Sequence, residues 1–75
     1  MPHFHFHIRE NGKLIRDDEG QEFDDVDLAR KEAIATGASI ARDVFIAGSA
    51  RCVIVDVCEG DTLFLKVSIT LDLEE

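Results

Sequence analysis

The chain has no Trp, no Tyr and a single Pro, and its Lys and Arg number only 8 against 16 Asp and Glu. Each shortage excludes something. The aromatic content is five Phe and nothing else. A formal net charge of −8 repels phosphate backbones, because nucleic-acid binding depends on Lys and Arg neutralising phosphates. Nucleic acid is therefore not an expected partner. No apolar run approaches the roughly 18 residues a membrane helix needs. The N-terminus also lacks the basic and apolar regions of a signal peptide. A membrane is not an expected partner either, and the expected location is cytoplasmic, with Cys52 and Cys58 as thiols. There is no repeat, low-complexity tract or linker, and 75 residues hold one domain, 1–75, with one core. A chain this short buries only about 60% of its unfolded surface, so an oligomer would add burial it can use.

What the chain does have is 45% hydrophobic residues, enough for a packed core, and clear periodicity. Residues 3–9 read His-Phe-His-Phe-His-Ile-Arg. On a strand, Phe4, Phe6 and Ile8 then lie on one face and His3, His5 and His7 on the other. Asn11-Gly12 follows, the strongest short hairpin signal. A two-residue loop places Glu10 opposite Lys13, Arg9 opposite Leu14, Ile8 opposite Ile15 and His7 opposite Arg16. Asp17-Asp18-Glu19-Gly20 stops the second strand. Asp24 and Asp25 can cap a helix, and Asp27 suits its positive end. From Val26 the stripe Ala29, Ala33, Gly37, Ile40, Ala41, Val44, with Phe45 at one edge, has helical spacing. Gly48 is the natural stop. The helix is expected from about Asp25 to Ala47, with Gly37 weakening or bending it by about 1 kcal/mol.

Two more strands follow, Arg51 to Cys58 and Thr62 to Thr70. Val53, Val55 and Val57 form one apolar face, and Leu63, Leu65, Val67 and Ile69 the other. Joining these faces by parity calls for a three-residue turn, Glu59-Gly60-Asp61, which pairs Val57 with Leu63, Val55 with Leu65 and Val53 with Val67. The expected fold is α+β, in the order β-β-α-β-β. One long helix packs on one face of a four-stranded, mostly antiparallel sheet. The opposite face would show His3, His5, His7, Leu14, Cys52, Ile54, Cys58 and Phe64 among its polar residues, too apolar a set to be wholly solvated.

The start Met1-Pro2, then Phe4, Phe6-His7, Arg9 and Gly12, resembles a family of small stand-alone bacterial proteins classed only as a domain of unknown function, frequent in rhizobia and other alphaproteobacteria. Asp17, Glu19-Gly20, Glu22, Ala29-Arg30 and Glu32-Ala33 extend the likeness over most of the chain. In that pattern His7 matches a family histidine, whereas His3 and His5 stand where the family usually has Arg, Tyr or Phe. The resemblance implies the fold and a bacterial origin and leaves the activity open.

Three groups are candidates for chemistry. Histidines two apart on a strand have Cβ atoms about 6.5–7 Å apart. His5 and His7 could thus converge on one zinc, nickel or copper ion, while a third in line, about 13 Å end to end, would not reach. Cys52 and Cys58 lie roughly 20 Å apart along one strand, too far for a disulfide or a shared metal. A Cys beside His5 or His7 on a neighbouring strand would make a nucleophilic pair. The acidic turn at Asp17 lacks the alternating ligands of a calcium loop. No catalytic residue, metal or cofactor is expected. The leading expectation is a non-enzymatic binding module that self-associates as a dimer, or that docks a partner protein of unidentified kind. His5, His7, Leu14, Ile54 and Phe64 would form the interface, with the histidines at a seam that loosens below about pH 6. The alternative is a small metal-binding or catalytic protein using His5 and His7.

Overall fold

A computed structural model describes residues 2–75. The alternating start forms β1 (His3–Glu10), and Asn11 at φ 46° with Gly12 at φ 79° turns it tightly into β2 (Lys13–Ile15). Both turn residues occupy the left-handed region, as a two-residue hairpin loop requires. Ile8 faces Ile15, Arg9 faces Leu14 and Glu10 faces Lys13, as the sequence predicts. The strand stops at Ile15, so Arg16 lies outside it and the expected His7–Arg16 pair is not part of the ladder.

The sheet has five strands rather than four. The extra one, β3 (Gln21–Glu22), pairs with the start of β1, His3 with Glu22 and Phe4 with Gln21. Two residues are too few for alternation to reveal. Thus β2 and β3 share one edge of β1, one against its end and the other against its start. The other edge of β1 pairs with β4 (Cys52–Glu59), which pairs in turn with β5 (Thr62–Thr70). Every pairing is antiparallel.

The last hairpin differs from expectation. Its turn has two residues, Gly60 and Asp61, since Glu59 pairs with Thr62 and Cys58 with Leu63. A bulge follows, so that Val57 pairs with Leu65, Val55 with Val67 and Val53 with Ile69. The extra residue is Phe64. Parity is satisfied, but by an inserted residue in the strand instead of in the turn.

The helix α1 (Val26–Ala47) begins at Asp25, whose side chain accepts from the Leu28 amide at 2.9 Å. It ends at Gly48, left-handed at φ 75°, with the Ser49 amide bonded back to the Val44 carbonyl. Its sheet-facing stripe is Ala29, Ala33, Gly37 and Ala41. Small residues let the backbone come close, and Gly37 shows how close. A Cβ there would lie 2.9 Å from Ile69 Cδ1 and 3.0 Å from Val55 Cγ2. Gly37 is thus a contact point between helix and sheet, and its helix-weakening cost is what close approach requires. The buried core is Phe4, Ile8, Val53, Val55 and Val57 beneath the helix alanines. Phe6 is only half-buried, its ring stacked 5.6 Å from Phe23.

Candidate functional site

The histidine row lies on the sheet face away from the core, and the chain between β2 and β3 arches against it. His5 Nδ1 donates to the Asp17 carbonyl at 2.7 Å, and His3 Nε2 donates to the Glu19 carbonyl at 2.8 Å. The Asp17 amide donates to His7 Nδ1 at 3.1 Å. Because a carbonyl only accepts and an amide only donates, the proton positions follow. His5 carries a proton on Nδ1, and His7, whose Nδ1 is an acceptor, carries its proton on Nε2. The Asp17 carboxylate completes the clamp, accepting from the Phe6 amide at 3.1 Å and the Gly20 amide at 3.0 Å. The Phe6 amide falls in the gap between β2 and β3 along the β1 edge, where neither strand reaches it.

Burial pushes the Asp17 carboxyl up. The amides of Gly20 and Phe6, the neighbouring His5 and the Glu19 amide outweigh it, so the group titrates below the ordinary carboxylate range. Gly20, at φ 73°, has no space for a side chain: a Cβ would lie 2.8 Å from the Phe4 carbonyl and 2.5 Å from His3 Nε2. The acidic turn is therefore a fitted cover on the histidines. Sequence reasoning identified the turn and missed its role; the signal was an Asp three residues before a Gly, the spacing of a side-chain-capped turn.

The ring arrangement bears on metal binding. His5 and His7 are near parallel, 19° between planes, with centroids 6.1 Å apart. Both Nδ1 atoms are taken up by the Asp17 backbone, His5 donating to its carbonyl and His7 accepting from its amide, so the turn fixes both rings. Among the described residues, no group of three His, Cys, Asp or Glu side chains is placed to hold a metal.

The structure does set a cysteine beside a histidine: Cys58 lies directly opposite His5, and Asp56 opposite His7. Burial, and then Asp56, push the Cys58 thiol up. A thiol held neutral is a poor nucleophile. Asp56 is itself engaged by Arg9, in a two-pronged ion pair at 2.9 and 3.0 Å. Cys52 sits at the far end of β4, opposite Thr70.

The domain of unknown function DUF6894 matches residues 3–70, from the first residue of β1 to the last of β5. The chain belongs to DUF6894. No curated protein and no solved structure matches it.

Of the five residues expected to form an interface in this DUF6894 chain, the structure keeps two pairs together, Leu14 with Ile54 and His5 with His7. Leu14 and Ile54 flank Arg9 from β2 and β4 and line a shallow depression of about 290 Å³ with Cys52 and Lys13. His5 and His7 are half-buried and bonded to the acidic turn. Phe64 leaves the set: its ring stands edge-on to Phe4, 5.3 Å away. The bulge is the reason, since an inserted residue re-aims the side chains around it. Its neighbour Leu63 takes the place opposite Cys58 and is 52% exposed. No helix among the described residues is long and apolar enough to cross a membrane.

Proposed function

We propose that this DUF6894 chain is a small non-enzymatic binding module whose first partner is a second copy of itself. One observation carries the reading: the thin core leaves many large apolar side chains outside. Leu14, Ile15 and Leu63 are each more than half exposed, and Ile46 is 82% exposed. Apolar side chains left outside on this scale are surface that association would cover. The histidines and the acidic turn are bonded to each other, and Arg9 to Asp56, which supports a structural use for these polar groups over a catalytic one. Metal or nucleophilic chemistry at His5 and His7 has less support, because the Asp17 backbone engages both rings and the facing thiol is held neutral.

Sedimentation equilibrium at pH 7.5, from about 10 to 500 μM protein, tests the reading. We expect a dimer to populate within that range. A single monomeric species throughout overturns self-association.

A further inference from the structure

We infer that the self-association proposed above runs through the free edge of β5, which pairs antiparallel with β5 of a second copy to make one continuous ten-stranded sheet. The inference rests on that reading and deepens it by naming the seam.

The edge is open. β5 is the longest strand of the sheet and, among the described residues, pairs only with β4. Just past its end, the Leu71 amide donates to the Arg51 carbonyl at 2.9 Å. Bonded and non-bonded pairs alternate along an antiparallel ladder. Val53–Ile69, Val55–Val67 and Val57–Leu65 are therefore the bonded pairs. Lys66, Ser68 and Thr70 turn their amides and carbonyls away from β4, towards the open side. Native edges of this length are usually blunted by several charges, a proline or a bulge. Here the bulge lies at the far end, by Phe64, and Lys66 is the only charge from Thr62 to Thr70.

Charge and length together favour the same edge. None of the sixteen Asp and Glu side chains lies in β5. For two copies of a chain at −8, a seam strand free of acids carries the least repulsion; of the two outermost strands, both free of acids, β2 has three residues and β5 nine. A two-fold axis through Val67 sets Lys66 opposite Ser68 of the second copy, avoiding a Lys–Lys pair. On the helix side it sets Leu65 opposite Ile69 and Val67 opposite Val67. These three side chains are only half-buried and already pack on the core, so pairing would cover what they still expose.

The helix also fits. Gly37 lies against both Val55 of β4 and Ile69 of β5, which places the helix axis over the line between those strands. With strands about 4.8 Å apart, two such axes would stand roughly 10 Å apart across the seam. That is the ordinary distance for packed helices.

Amide hydrogen exchange on the intact protein tests the seam, run at concentrations where sedimentation shows the dimer and at tenfold dilutions below it. Lys66, Ser68 and Thr70 amides should gain at least tenfold protection on association, and Ser68→Pro should sediment as a folded monomer. The Ser68 amide is not used by β4, so the proline removes a seam hydrogen bond and no ladder bond. If Ser68→Pro fails to fold, the exchange of the unaltered chain decides alone. A dimer whose β5 amides exchange as in the monomer, with protection or broadening at Leu14 and Ile54 instead, overturns the edge inference and leaves self-association standing. A chain that is monomeric throughout removes both. A dimer that protects the β5 amides and is lost in Ser68→Pro establishes the seam.

Discussion

At Asp17 one carboxylate accepts the amide hydrogens of Phe6 and Gly20, while its own backbone is held by His5 and His7. Asp17→Asn keeps the size but loses the charge and one acceptor, at an expected cost of about 1–2 kcal/mol at neutral pH. The pH dependence follows from the lowered pKa of the folded state. A depressed carboxylate contributes stability that is fully present above its unfolded value, near 3.9, and is lost as pH falls through the folded value. Urea unfolding of both proteins should show a constant gap above about pH 5 that narrows below about pH 4; a gap unchanged at low pH contradicts this role. The phenylalanines provide a second residue-scale prediction. Phe4, at 1% exposure, should cost about 3–5 kcal/mol on change to Ala. Phe6, half-buried, should cost about 1–2 kcal/mol, and equal losses would contradict the burial. Which face these rings take was legible from alternation. That Phe4 outranks Phe6 was not, because it depends on what the helix covers.

Between elements, the close approach of α1 to the sheet is set at Gly37. Exchanging it for Ala adds about 1 kcal/mol of helix propensity but pushes a methyl into Val55, which is buried and β-branched and cannot rotate aside. The overpacking cost, about 1–3 kcal/mol, should win, and Gly37→Ala should unfold at lower urea than the parent. Ser39→Ala, on the exposed side of the same helix, should gain a few tenths of a kcal/mol. A stabilised Gly37→Ala would show that the helix can stand further off. The helix bounds and its stripe were readable because the 3.6-residue period runs through 22 residues. The β4–β5 register was not. Parity demands that Val53, Val55 and Val57 face the apolar side of β5, but a longer turn and a bulge satisfy it equally. The short turn, with Gly60 at φ 60°, and the Phe64 bulge won.

As a whole the chain is a two-layer slab measuring 46 × 21 × 16 Å, with few large side chains in its interior. A helix whose inner face is Ala and Gly buries little area per residue, so apolar side chains remain outside and association offers further burial. Two copies each at −8 repel, and salt screens that repulsion over roughly 8–10 Å. The dimer should therefore tighten several-fold between about 20 and 200 mM salt, read from sedimentation isotherms. Weakening with salt would mean that the seam is held by opposite charges, against a β5 edge whose single charge, Lys66, has no acid in the facing strand. The histidines hold the acidic turn inside one chain.

The sequence by itself determined the helix, the four principal strands, the first hairpin's register and the core-facing alternation. These follow from local period and turn chemistry, which nearest neighbours along the chain dictate. Only the tertiary structure decided that the acidic turn closes over the histidines, that β3 fills the edge beside β2, that Phe64 turns to Phe4, and that Cys58 faces His5. Each of those joins residues far apart in sequence, and their geometry depends on how strands stack side by side. The free edge of β5 belongs to the same class: nothing in Thr62–Thr70 marks it as outermost, since strand order is set by which edges the rest of the chain has already occupied.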